Sequence, residues 1–176
     1  MSSIKKNLET VWENIDKAVT LSGRKDEVAL VAVTKTVTYD RIIEAIKAGV
    51  RIIGENRVQD AGEKIDQVKS QLDTANVSWH MIGHLQRNKV NSALKIFDMI
   101  QSIDKIETAM EIEKRAEKPI DILIEINSSG EETKSGIKPD GLFYLVDQLK
   151  TVIDRLNIFH RCPLQESLHK HLRAIP

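Results

Sequence analysis

The sequence predicts an α/β protein of the parallel (β/α) barrel type, incomplete, with about five to six of the eight strands that close such a barrel. Short apolar segments alternate with longer segments whose apolar residues recur at helical spacing. Polar residues gather where the apolar segments end, and parallel α/β folds carry their sites at the carboxyl ends of strands. An open doubly wound sheet fits the same alternation. However, the first predicted strand is not followed by a Gly-x-Gly-x-x-Gly turn, which argues against dinucleotide binding.

The elements follow one another in strict alternation after a first helix, which is predicted from helically spaced apolar residues between Ile4 and Val19. Strands are predicted at 28–34, 50–54, 77–83, 97–102 and 120–127, with a sixth beginning near Leu156. Five helices are predicted between the strands. The first is capped by Thr38 and ends at Gly49, the second covers 58–72, and the third is a short helix through 90–94. The fourth follows an Asp104–Glu107 capping box, and the fifth begins at Pro139. This succession predicts a parallel sheet covered by helices.

Composition limits the classes of function. The 176 residues suffice for one domain with a substantial core, and 26 acidic residues balance 26 basic ones. A formal charge of zero argues against a general binder of nucleic acid or of a membrane surface. No apolar stretch approaches the roughly 20 residues that span a bilayer, and the N-terminus lacks a secretory pattern. The single cysteine, Cys162, allows no intrachain disulfide and fits a cytoplasmic protein.

Lys35 closes the mostly apolar run 27–35 and is the first candidate for chemistry. An ammonium group is costly to remove from water, so a lysine kept dry at a strand end loses its proton easily. The neutral amine is a nucleophile towards aldehydes, and the best-known partner of such a lysine is pyridoxal phosphate. A strand-end lysine that simply reaches solvent is the alternative, and this residue alone does not decide between them.

The fifth strand carries a second candidate pair. Glu125 and Asn127 share one face, whereas the opposite face is apolar and suits packing against helices. A carboxylate and an amide at a barrel mouth are able to hydrogen-bond a ring-shaped ligand, so Asn127 is predicted to bind the cofactor. Pairing of Glu125 with a nearby lysine explains that carboxylate equally well.

Four motifs occur in order at predicted strand ends and together resemble one family, the pyridoxal phosphate homeostasis proteins, small relatives of the alanine racemase barrel. The resemblance covers residues 2–157. The motifs are Val31-Ala-Val-Thr-Lys-Thr36, Gly54-Glu-Asn-Arg-Val-Gln59, Trp79-His-Met-Ile-Gly-His-Leu-Gln-Arg-Asn-Lys89, and Ile124-Glu-Ile-Asn127 with Lys134-Ser-Gly136.

The resemblance implies a (β/α) barrel that holds pyridoxal 5'-phosphate as a Schiff base on Lys35. It also places Asn56, His80, Met81 and Ile82 near the cofactor ring. His84, Gln86, Asn88 and Lys89 match the motif without an assigned role. The family is regarded as a cytoplasmic carrier or buffer, which implies that apoenzymes dependent on this cofactor are its partners.

The same resemblance implies binding without robust catalysis. Racemisation on this cofactor needs a second base, which in related racemases is a tyrosine from a second domain. This chain holds only Tyr39 and Tyr144, both on predicted helices. Two alternatives remain: a racemase or lyase acting on amino acids, and a truncated fragment that does not bind the cofactor.

The likeness ends before the chain does. Residues 1–158 are predicted to form a partial barrel and residues 159–176 an atypical tail. The Ser-Met-Gly-Met-Ser and Arg-Ile-Gly segments typical of the family are absent, so weak cofactor binding is expected. Exposed strand edges are expected to favour a homo-oligomer. Cys162, His169 and His171 match no strong zinc pattern, and no metal site is predicted.

Overall fold

A computed structural model describes residues 3–156 except residues 24 and 26, with side chains described as far as residue 151. Within it, strands and helices alternate after a first helix. The helices are α1 (Ser3–Ser22), α2 (Tyr39–Lys47), α3 (Val58–Lys69), α4 (Val90–Ala93), α5 (Ile106–Arg115) and α6 (Leu142–Leu156). The strands are β1 (Val31–Val33), β2 (Ile52–Glu55), β3 (Ser78–Met81), β4 (Met99–Ile103) and β5 (Asp121–Ile124). Short 3-10 turns precede α4 and α6.

The five strands form one parallel sheet in the order β1-β2-β3-β4-β5, so each strand pairs with its neighbour in sequence. One row of paired residues runs across all five strands and consists of Val33, Gly54, His80, Met99 and Asp121. Strands β1 and β5 form the two edges. The predicted incomplete parallel (β/α) architecture is confirmed. The position predicted for a sixth strand, near Leu156, is the end of α6, and the tail 159–176 lies outside the described residues.

Helices cover one face of the sheet, and the hydrophobic core lies beneath them. Alternation along the strands sends Ile53, Met81 and Ile100 to this face, where each is at most 1% exposed. Ile42 of α2 and Ile65 of α3 pack in the same cluster. This helix-covered face accounts for most of the buried apolar surface and therefore for most of the hydrophobic stabilisation.

The opposite face, called here the inner face, lacks such a cover. Its residues are Val31, Val33, Ile52, Gly54, Ser78, His80, Met99, Gln101, Asp121, Leu123 and Glu125. Val33 is 53% exposed and Asp121 is also exposed. The inner face is the more polar of the two, and in a closed barrel it would line the interior.

Two predicted helix starts differ in detail from the structure. Thr38 occupies the N-cap position of α2, but its side chain makes no capping hydrogen bond. The N-cap of α5 is Lys105, so the predicted Asp104–Glu107 capping box is wrong. The Asp104 carboxylate lies 3.6 Å from Nδ1 of His84 instead, which ties α5 to the loop after β3.

Candidate functional site

Lys35 lies in a tight turn directly after β1. The turn is closed by the Val37 N–H, which donates to the Thr34 carbonyl at 2.9 Å. The Lys35 side chain is exposed, so the expectation of a lysine kept dry is wrong for this structure. The reason is its place at an edge of the uncovered inner face, where Val33 is exposed as well. The amine is accessible from solvent, and its role in binding stays a prediction.

A buried polar cluster lies behind this turn, on the helix-covered face. Glu55, which is 0% exposed, accepts hydrogen bonds at Oε1 from Thr34 Oγ1 at 2.6 Å and from Lys64 Nζ at 2.8 Å. Lys64 also donates to the Thr34 carbonyl at 2.7 Å. Sequence reasoning did not identify this cluster. The sequence did contain a signal for it. Glu55 is an ionisable residue on the same face of its strand as the apolar Ile53, and a buried charge requires a partner.

Asn56 follows β2, the strand next to the one that carries Lys35, and Ile82 follows β3, one strand further along the sheet. The Thr34 N–H donates to the Gly54 carbonyl at 3.0 Å and the Ile82 N–H to the Glu55 carbonyl at 2.9 Å, so pairing continues past the ends of β1 and β3. The tips approach so closely that a Cβ at Gly83 would lie 2.4 Å from the Asn56 carbonyl oxygen. Glycine at this position therefore fixes the Asn56 backbone against the β3 tip.

His80 lies on the inner face but is only 6% exposed. Burial lowers the pKa of its imidazole, and the nearby carboxylates of Asp98 and Asp121 oppose that shift. Gln101 Nε2 donates to Nδ1 at 2.8 Å, which leaves Nε2 to donate to the Ser78 hydroxyl at 2.9 Å. The ring is thus a neutral, hydrogen-bonded part of the inner face.

Met81 lies on the other side of the sheet. It is 1% exposed within the helix-side core, because neighbouring residues of a strand point to opposite faces. The structure therefore places His80 and Ile82 on the inner face and Met81 on the helix-covered face.

Asn127 organises the loop after β5. Its Nδ2 donates to the carbonyls of Glu131 at 2.8 Å and Lys134 at 3.3 Å. Its Oδ1 accepts from Ser129 Oγ at 3.1 Å and from the Gly130 N–H at 3.0 Å. The amide is thus fully engaged within the loop, and this structure gives it partners other than a ligand.

Glu125, on the same face as Asn127, differs in this respect. Its Oε2 is buried and finds no hydrogen-bond partner in the part of the chain that the structure describes. Pairing with a lysine, the alternative raised by the sequence, does not satisfy this oxygen. An unpaired buried carboxylate oxygen is costly, and a ligand donor on the inner face would relieve that cost.

A cavity of about 470 Å³ opens between the loops that follow β2 and β3. Asn56 and Gly83 line it at the strand tips, and Arg57, His84, Gln86 and Lys89 line it further out. Lys35 is not among its lining residues. Of the four motif residues without an assigned role, all but Asn88 thus line a polar cavity next to Asn56.

The described residues form neither a metal site nor a membrane-spanning helix. No group of three or more His, Cys, Asp or Glu side chains there is placed to hold a metal ion. Across residues 3–156, no helix combines the length and the apolar character needed to cross a membrane.

Comparison with known proteins decides the family. The sequence profile of the alanine racemase N-terminal domain matches residues 7–160. The chain belongs to this family. A pyridoxal phosphate homeostasis protein from Vibrio cholerae is 37% identical over 151 residues, covering 84% of this chain and 64% of that protein. The one from Escherichia coli K12 is 40% identical over 142 residues, covering 78% and 60%. The family resemblance drawn from the four motifs is confirmed.

Solved structures agree with this family assignment. A protein of unknown function from Bifidobacterium adolescentis superposes with a TM-score of 0.75 at 35% identity, covering 82% of this chain and 63% of that one. PipY from Synechococcus elongatus with pyridoxal phosphate bound gives 0.63 at 27% identity, covering 78% and 64%. Alanine racemase from Clostridium difficile, at 14% identity and 0.55, shares the fold alone. The chain spans less than two thirds of the length of the Vibrio cholerae and Escherichia coli relatives.

Proposed function

We propose that this chain binds pyridoxal 5'-phosphate through Lys35 and serves vitamin B6 homeostasis without robust catalysis. The observation that carries the proposal is the accessible Lys35 amine on a hydrogen-bonded turn at the carboxyl end of β1. Support comes from relatives named pyridoxal phosphate homeostasis proteins and from PipY, whose structure contains that cofactor. We further propose a cytoplasmic carrier that passes the cofactor to apoenzymes, with residues 1–158 as its partial barrel.

The residues of the inner face fit such a group. When bound, pyridoxal phosphate supplies an aldehyde that condenses reversibly with a primary amine and releases water. Lys35 offers that amine without a covering layer over it. Glu125 offers a buried acceptor oxygen that lacks a partner among the described residues.

Each predicted site residue has a distinct part in this proposal. Asn56 and Ile82 follow the next two strands of the sheet, on one side of Lys35, where they would orient the ring. Neutral His80 supports the inner face one row below. Asn127 orders the loop after β5, since its amide is already satisfied there. Met81 packs behind the sheet and contributes through the core rather than by contact.

The absence of robust catalysis is proposed because no tyrosine among the described residues lies opposite Lys35, where the related racemases have their second base. The chain contains two tyrosines. Tyr144 is 70% exposed on α6, where its hydroxyl accepts from Gln148. Tyr39 begins α2 and packs against the helix-side core. Neither lies on the inner face, so the tyrosine that acts as second base in the related racemases has no counterpart there among the described residues.

An absorbance titration with pyridoxal phosphate tests the proposal. We expect a saturable change in the cofactor spectrum, lost in Lys35→Ala and retained in Lys118→Ala, which removes another exposed lysine. Borohydride reduction followed by peptide mass mapping should place the label on Lys35. Equal spectra for the wild type and Lys35→Ala, or a label mainly elsewhere, would contradict it.

Incubation with L-alanine or L-serine separates a carrier from an enzyme. We expect no racemisation and no loss of substrate beyond the rate given by free cofactor. Turnover that disappears in Lys35→Ala would favour a racemase or lyase instead.

A further inference from the structure

The turn that carries Lys35 is held from behind at a single atom. The Thr34 carbonyl oxygen accepts two hydrogen bonds, from the Val37 N–H at 2.9 Å and from Lys64 Nζ at 2.7 Å. The first bond closes the turn, and the second ties it to α3. Since this carbonyl belongs to the peptide group that enters Lys35, its position decides where the lysine leaves the sheet.

Lys64 is itself fixed by Glu55. Its side chain is 17% exposed and that of Glu55 is 0% exposed, so the 2.8 Å pair between them is largely shielded from water. The Thr34 hydroxyl donates to the same Glu55 oxygen at 2.6 Å. Strands β1 and β2 and helix α3 therefore meet at one cluster, defined here as the Thr34–Glu55–Lys64 clamp.

Stability alone does not explain such a clamp. A buried ion pair is often no better for stability than well-packed apolar residues, because desolvation of both charges offsets their attraction. What the pair adds is a defined geometry. Strand β1 has three residues and, within the part of the chain that the structure describes, pairs only with β2, so its end would otherwise open easily. The charge-assisted hydrogen bond from Lys64 to the carbonyl of Thr34, the residue directly after β1, restrains that end.

We propose that Lys64, oriented by Glu55, is a positioning residue for Lys35. The clamp keeps the turn 34–37 in one conformation, so that the exposed lysine presents its amine at a constant place on the inner face. This inference rests on the proposed role of Lys35 in capturing an aldehyde. The clamp itself touches neither the amine nor the ligand, since it lies on the opposite face of the sheet.

The test removes the clamp without leaving a buried charge. The single variant Lys64→Met would leave the Glu55 carboxylate buried without its charged partner. The double variant Glu55→Gln/Lys64→Met avoids this and is therefore the decisive protein. The matched control is Lys69→Met, an exposed lysine on the same helix. Hydrogen exchange of the Val37 amide, followed in the cofactor-free chain, should be about tenfold faster in the double variant and unchanged in the control. Amides of β2 and β3 should keep their exchange rates.

Capture of the aldehyde provides the second measurement. Pyridoxal phosphate should label Lys35 with about tenfold weaker affinity in the double variant, whereas the thermal midpoint stays near that of Lys69→Met. A merely structural pair would instead lower the thermal midpoint and speed exchange throughout the sheet.

Three outcomes overturn the inference. Two of them concern the double variant: wild-type exchange at Val37 would show that the clamp does not hold the turn, and wild-type labelling of Lys35 would show that it does not position the amine. The wild type alone also decides, because exchange at Val37 as fast as in an unfolded peptide of the same sequence would mean that the turn is not held. If the wild type captures no aldehyde, the proposed function fails, and the exchange measurements still decide whether the clamp holds the turn.

Discussion

The two faces of the sheet are made by the same strands but have different environments. On the helix-covered face, Ile53 and Ile100 are 0% exposed and Met81 is 1% exposed. On the inner face, Val33 is 53% exposed, and polar residues such as Ser78 and Gln101 lie along the strands. One face thus supplies the stability of the described fold. The other contributes less to the buried core and carries most of the polar side chains of the strands.

The largest expected contrast is between an apolar residue on each face. Ile100→Ala should lower the free energy of unfolding by about 3 kcal/mol, because it leaves a cavity under the helices. Val33→Ala should change it by less than about 1 kcal/mol, because much of that side chain is already in water. Urea unfolding measures both. Equal losses would mean that the inner face is covered in solution, for instance by a second copy of the chain.

The strand tips offer a second contrast, between two glycines. Gly83→Ala should cost about 1–3 kcal/mol, since the added methyl would lie 2.4 Å from the Asn56 carbonyl oxygen. Gly62→Ala on α3 is the matched control. Its added Cβ meets only Ile96 at 3.5 Å, and alanine should stabilise the helix by up to about 1 kcal/mol. Thermal unfolding should separate the two variants in opposite directions, and a neutral Gly83→Ala would show that the tips are free to separate.

Sequence patterns predicted the architecture well because alternation and helical spacing are local signals. Five strands and the helices between them follow from those signals and appear in the predicted order. Alternation along β3 also places Met81 on the opposite face of the sheet from His80 and Ile82. The resemblance to the family had placed all three residues together near the cofactor ring. The exposure of Lys35 was missed because burial depends on what covers a face, and a strand pattern does not say what lies above it.

The polar contacts were the least predictable part of the molecule. Thr34 and Glu55 are 21 residues apart, and Glu55 and Lys64 are 9 apart. No local pattern links residues at such separations on different elements. Asn127 shows the same limit, because its position on the strand face suggested a ligand contact, whereas the fold of the following loop satisfies its amide.

The smallest expected effect concerns His80, the buried histidine of the inner face. Burial lowers its pKa in the folded chain below the ordinary value of 6.5. Above about pH 6.5 the ring is neutral in both states, and the histidine adds no pH dependence. As the pH falls below that value, the unfolded chain takes up a proton before the folded chain does, so the free energy of unfolding decreases.

This loss of stability should continue until the pH passes the lowered folded pKa. The variant His80→Gln should therefore lose less stability than the wild type between about pH 7 and pH 5, whatever its baseline. Urea unfolding at several pH values measures the two slopes, and data at about pH 8 give the baseline difference, since the ring is then neutral in both states. Asp98 and Asp121, which face the ring, are present in both proteins and cancel in the comparison to first order. Parallel slopes would mean that water reaches His80 from the inner face as freely as in the unfolded chain, and the contrast between the two faces would then be sharper still.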